Sequence, residues 1–349
     1  MNPPNNLYEI KPPNMRRQAI VLIFSIIALF MIVAVSIAMG SVYVPLDRVI
    51  QILLYNSGDY WENMIILNAR LPRVLGAVLG GAAISCAGLL LQVYFRNPIV
   101  DPYVLGVSSG ASLIVAMGLL FGVYLLPSVI AYPALLFGSF IGAILVTLAI
   151  IMVASVVRSS TTLLLIGLMI GYLLRAFIDI MITRAETIRV HAFTLWMYGT
   201  FANVTWGHLN AMIAVIPLII FACLFSKPLN AILLGEEYAK SVGVNVKKVR
   251  IVIITLSALL TAIIVTFAGP IAFIGMAVPH IGRLTLKTSN NRYLVPTTAI
   301  LGAIVAVLCD LVARCAFTPV ELPLSAVTSI FGAPMIIILL LRMRSYVRA

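Results

Sequence analysis

This sequence is poor in charge. Only 10% of its 349 residues are Asp, Glu, Lys or Arg, against about a quarter in an ordinary soluble domain. There is no GxxxxGK[ST] stretch, so the chain brings no phosphate-binding loop of its own. HExxH is absent too, and the three histidines (His191, His208, His280) stand isolated, which leaves hydrolytic and intramembrane proteolytic chemistry without its usual residues. Cys86, Cys223, Cys309 and Cys315 form no CxxC pair and lie in or beside apolar runs. They read as small core residues, not as a metal or redox site. No catalytic residue, metal ligand or cofactor is expected in this chain.

What the chain has is apolar length. It is 62% hydrophobic, with mean hydropathy +1.13. Uncharged runs of about 20 residues recur, each long enough to cross a ~30 Å hydrocarbon core as a helix. Ten spans are predicted, at about 18–40, 72–92, 103–121, 131–154, 160–183, 208–226, 251–268, 270–286, 295–314 and 325–341. The fold class is thus an all-α polytopic membrane protein with one transmembrane domain over 18–342. Residues 1–17, with four prolines and three basic groups, and 343–349 read as cytoplasmic tails. Arg16 and Arg17 ahead of the run Gln18–Met39 mimic a signal peptide, but the apolar part is too long and a retained first span is expected.

The net charge of +12 resembles that of a nucleic-acid binder, but its basic residues sit in short loops between apolar runs. With both termini inside, sixteen Lys and Arg fall on the inner side and six on the outer: Arg48, Arg70, Arg73, Arg184, Arg189 and Arg314. That bias supports the topology and marks the outer arginines as exceptions to it. GxxxG pairs at Gly76/Gly80, Gly106/Gly110, Gly118/Gly122, Gly138/Gly142 and Gly167/Gly171 predict a closely packed bundle. Gly88 and Pro98, ten apart, are echoed by Gly269 and Pro279 in a span of opposite direction, a faint sign of inverted halves.

Three places carry chemistry. Arg175 with Asp179, and Asp310 with Arg314, are spaced i,i+4 and predict ion pairs on single helix faces. Either pair is a local structural one or an ion-coupling site, and Arg175 with Asp179, if they face the pore, are a feature of a transport pathway. The third is the polar insertion 227–250, KPLNAILLGEEYAKSVGVNVKKVR, which reads as two short amphipathic helices around a glycine turn. It suits either a knob for a cytoplasmic partner or a helix pair lying on anionic lipid.

From Arg70 onward the chain resembles the FecCD family of ABC transporter permeases, the type II importers of vitamin B12, haem and ferric siderophores. The matching stretches, in family order, are RLPR at 70–73, the helix with Gln92, NPIVDPYVLGVSSGA at 97–111, LGEEYAKSVGV at 234–244, GPIAFIGMAVPHIGR at 269–283, DLVAR at 310–314 and ELPLSAVTSIFGAP at 321–334. The resemblance implies a permease subunit, not an enzyme, in the inner (cytoplasmic) membrane, paired as a homodimer around a central pathway. It implies two ABC ATPase subunits that bind ATP and Mg. Their groove would receive Leu234, Gly235, Glu236, Glu237, Ala239 and Gly243. It also implies an extracytoplasmic substrate-binding protein whose acidic groups meet Arg70, Arg73 and Arg314; guanidinium suits that role because it stays charged and grips carboxylate bidentately. The cargo expected is a metal chelate: iron-siderophore, haem or cobalamin. Ion-coupled carriage and a non-transporting scaffold are the alternatives.

Overall fold

The structure, a computed structural model, describes residues 15–40, 44–55, 58–122, 128–157 and 159–347. Within them all long elements are helices: α1 (Met15–Ala38), α2 (Leu46–Tyr55), α3 (Tyr60–Phe95), α4 (Val107–Gly122), α5 (Ser128–Val156), α6 (Ser160–Arg184), α7 (Thr187–Met197), α8 (Trp206–Leu224), α9 (Ser226–Leu234), α10 (Glu236–Ser241), α11 (Val246–Ala268), α12 (Ile274–Leu286), α13 (Asn291–Cys315) and α14 (Leu324–Val347).

Seven described helices, α1, α3, α5, α6, α8, α11 and α13, are long and apolar enough to cross a bilayer unaided. The other three predicted spans fall on elements whose apolar stretches are shorter. Val107–Gly122 and Leu324–Leu339 are apolar helices of intermediate length. The helix α12 has 13 residues, about 20 Å at 1.5 Å per residue, and does not reach across a hydrocarbon core alone.

Helix α3 is the axis of the bundle. Its apolar window is 78% buried, against 17% for α1 and for α6. The reason is its small-residue faces. A Cβ placed on Gly81 would lie 2.1 Å from the Gly302 carbonyl oxygen, and one on Gly302 would lie 2.3 Å from that of Gly81. The backbones of α3 and α13 therefore touch, as lipid-immersed helices do when dispersion and not water exclusion holds them. Gly110 and Gly142 join α4 to α5 in the same way. We expect Gly81→Val to force α3 from α13 and to lower the melting temperature in detergent steeply, since backbone cannot yield as a side chain does. An unchanged melting curve would refute that contact.

Several predicted boundaries move. The second span starts at Tyr60, not at about 72, because a π-helical turn, Met64–Arg70, leads without a break into Leu71–Phe95. Pro72 has no N–H, and in a regular helix its ring opposes the carbonyl four residues back; the wider turn accommodates it. The outer loop also contains α2, and the outer segment 184–207 contains α7. Met15–Arg17 and 343–347, read as tails, are helical, while 1–14 and 348–349 lie outside the described residues, as does the loop residue Arg158. The interruption expected near Pro217 is present: α8 is helical over Trp206–Met212 and Val215–Leu224 with a turn between.

Candidate functional site

The predicted residues gather at opposite ends of the bundle. At one end, Arg70, Arg73 and Arg314 line a single cavity of about 320 Å³, together with Glu321, Thr318, Pro319, Gly40, Ile65, Ala69 and Ala202. Arg70 and Arg73 project from one face of α3, three residues apart, and Arg314 comes from the last turn of α13.

None of the three guanidinium groups is on the surface: Arg70 is 5%, Arg73 8% and Arg314 7% exposed. Each has internal partners. Arg70 Nη1 donates to the carbonyls of Ile37 at 2.8 Å and Ala38 at 2.9 Å, at the C-terminal end of α1 where a cation is favoured. Arg314 Nη2 donates to the carbonyl and hydroxyl oxygens of Ser36. Arg73 uses both edges of its fork. Its Nε donates to Asp310 Oδ1 and Oδ2, each at 3.0 Å. Its Nη1 and Nη2 donate to Glu321 Oε1 and Oε2 at 2.8 and 3.0 Å. Those hydrogen bonds hold the Glu321 carboxyl below the usual carboxylate range.

The helical pair expected between Asp310 and Arg314 is therefore secondary. Arg314 Nε stands 3.8 Å from Asp310 Oδ2, beyond hydrogen-bond length, while Asp310 belongs to Arg73. Three guanidiniums meet two carboxylates, so the cavity keeps a net positive charge. Glu321 was not among the predicted site residues. Its place in ELPLSAVTSIFGAP was legible, but its partner, 248 positions away in sequence, was not.

At the other end lie α9 and α10. Leu229, Ile232 and Ala239 are buried, and they fasten the pair to the bundle. Leu234, Tyr238 and Val242 are exposed at 52%, 48% and 53%, and Glu237 and Gly243 are exposed beside them. The turn between the helices depends on Gly235, at φ 128° and ψ 151°, a conformation open essentially to glycine alone. Of the six predicted coupling residues, then, Leu234, Glu237 and Gly243 face outward, Gly235 shapes the turn, and Ala239 anchors. Glu236 instead pairs with Arg250 of α11 at 3.6 Å.

Two ties missed in the sequence fix this knob to the spans. Arg250, 7% exposed, donates to the carbonyls of Ala154 and Val157 and lies over the Tyr94 ring, joining α5, α3 and α11. Asn230 of α9 donates to Asn290 Oδ1 at 2.9 Å, and its own Oδ1 accepts from Asn291 N and Nδ2 at 2.8 Å, at the start of α13. These contacts join α9 to α13 and α10 to α11. Nearby, Arg283 Nη1 donates to Gln92 Oε1 at 2.8 Å, which joins α12 to α3.

Arg175 and Asp179 close the expected i,i+4 pair at 2.9 Å, with side chains 47% and 55% exposed on α6. Among the described residues no group of three or more His, Cys, Asp or Glu is placed to hold a metal ion.

Comparison with known proteins agrees with this geometry. A family model described as the FecCD transport family matches residues 26–342. The vitamin B12 import system permease protein BtuC of Vibrio vulnificus is 32% identical over 315 residues, covering 90% of this chain and 93% of that one. YvrB of Bacillus subtilis, an uncharacterised ABC transporter permease, is 33% identical over 348 residues, 96% of each chain. A solved structure of a candidate metal-chelate type ABC transporter, in an inward-facing conformation, superposes with TM-score 0.81 at 26% identity, over 93% of this chain and 99% of that one. An all-helical, multi-pass architecture, a family match over nearly its whole length and a common fold all give one result: the chain belongs to the FecCD transport family, as an ABC transporter permease.

Proposed function

We propose that this chain is half of a homodimeric permease in an ATP-driven importer of a metal chelate (iron-siderophore, haem or cobalamin), working by alternating access in the inner membrane with both termini cytoplasmic. The observation that carries this reading is the α9–α10 knob. Its buried side chains and its ties to Arg250 and Asn291 make it a lever, and its exposed Leu234, Glu237, Tyr238 and Val242 form a surface suited to a groove. An ATPase subunit is the occupant we assign to it; ATP and Mg belong to that subunit. The arginine cavity at the opposite end is assigned to the acidic groups of an extracytoplasmic binding protein. The vitamin B12 and metal-chelate systems among its relatives support the cargo class.

The exposed Arg175–Asp179 pair supports a shared pathway. An ion pair half open on a membrane helix is unfavourable against lipid and favourable beside water or a second copy. We expect Arg175→Ala to change the uptake rate or Michaelis constant severalfold in proteoliposomes; values equal to wild type would assign the pair to structure alone. The central test is reconstitution: uptake requires the ATPase and ATP, and persists when the proton gradient is collapsed. Uptake without ATPase, abolished by a proton uncoupler, would identify an ion-coupled carrier instead.

A further inference from the structure

We infer that Glu321 is an internal occupant of the arginine cavity, a carboxylate of the permease itself seated where an incoming acidic group of the binding protein engages Arg73. Docking is then an exchange of carboxylates, and release of Glu321 is how the outer face reports the event to α14. This inference rests on the docking reading given above and adds to it the residue that sets its affinity.

The two acids on Arg73 are unlike. Asp310 is 1% exposed, enclosed between α3 and α13, and holds the inner edge of the guanidinium. Glu321 is 47% exposed, stands on the segment joining α13 to α14, and holds the outer fork by two parallel bonds. Removal of Asp310 would strand buried charge; removal of Glu321 opens a fork directly beneath the surface. The fork is the geometry a partner carboxylate needs for bidentate contact. The rest of the cavity also favours an anion. Arg70 and Arg314 line it, and among the described residues Arg314 Nε has no hydrogen-bond acceptor.

The position of Glu321 supplies the signal. It lies three residues before the first residue of α14, Leu324. While Glu321 grips Arg73, the start of α14 is latched to α3. The neighbouring bonds, Leu322 N to the Ala313 carbonyl at 2.8 Å and Ser325 N to the Tyr198 carbonyl at 3.1 Å, do not involve the Glu321 side chain and survive its departure. An external acid that takes the fork releases the Glu321 tie to α3, while the backbone bonds of Leu322 and Ser325 keep the segment ahead of α14 folded.

The experiment measures affinity of the purified substrate-binding protein for the permease–ATPase complex in lipid nanodiscs, for wild type, Glu321→Gln, Glu321→Asp and Arg73→Lys. Glutamine keeps the shape and loses the competing charge; aspartate keeps the charge but is one methylene short of the fork. We expect both Glu321 variants to bind about tenfold more tightly than wild type, and Arg73→Lys, which keeps a cation against Asp310 but loses the fork, to bind at least tenfold more weakly. Unchanged affinity in both Glu321 variants alongside weakening in Arg73→Lys would overturn the exchange and leave the docking reading standing. Unchanged affinity in Arg73→Lys, and in Arg70→Gln with Arg314→Gln, would overturn the docking reading itself. If Glu321→Gln proves unstable, the aspartate variant decides the exchange.

Discussion

Replacing Glu237 by arginine is expected to abolish ATP-driven uptake while leaving the permease folded. Glu237 is exposed on α10, and surface substitutions of this kind shift stability by about 0.5 kcal/mol or less. Within a protein–protein groove, however, a reversed charge meets like charge or loses its partner, at a cost of several kcal/mol, which corresponds to a loss in ATPase affinity of a hundredfold or more. The measurement pairs thermal unfolding of the isolated permease with ATPase co-purification and uptake in proteoliposomes. Gly235→Pro goes further. Proline fixes φ near −65°, and Gly235 stands at +128°, so α10 is re-aimed and the lever loses its contact even if the groove still binds. Normal coupled uptake in both variants would remove α9 and α10 from the mechanism. Their contacts with Arg250 and the start of α13 would then be purely structural.

The second large effect is on folding. Asp310→Ala leaves the inner edge of Arg73 without its acceptor and Arg314 without a neighbouring carboxylate, both in positions less than a tenth exposed. Removing one member of a buried, paired charge set costs about 3–5 kcal/mol, because the remaining ion has lost its compensation and gains no water. Glu321→Ala removes an acid from the same guanidinium but at a half-exposed site, where water replaces the lost contact and the cost is about 1 kcal/mol or less. Chemical unfolding of the two variants in the same detergent compares them directly. Equal losses would contradict the division of Arg73 into a permanent inner partner and an exchangeable outer one.

That division also marks where sequence reading stopped. The six arginines expected outside the membrane are conspicuous because they violate a topological bias, and three of them, Arg70, Arg73 and Arg314, line one cavity. Their burial was not foreseeable. Whether a guanidinium points outward or folds onto an acid depends on which helix ends meet, and Arg73 and Asp310 meet across α3 and α13, the helices that also touch through Gly81 and Gly302. The i,i+4 pair of Asp310 and Arg314 is present at 3.8 Å, but Asp310 takes its shorter bonds, both 3.0 Å, from Arg73 Nε on another helix. At Arg175 and Asp179 the local pair formed at 2.9 Å, as spacing predicts. The knob at 229–244 was legible as two short helices, since a glycine between amphipathic turns is a local signal, whereas its fastening through Asn230 to Asn290 and Asn291, 60 and 61 positions away, was not.

By itself the sequence determined that this is an all-helical, multi-pass membrane protein, because that property depends on composition and on runs of neighbouring residues. Only the tertiary structure decided which helices are long enough to cross alone, which small residues bring backbones into contact, and which acid each arginine holds. Those are decided by pairs of residues far apart in the chain, where the outcome follows from distance and burial after the helices have packed.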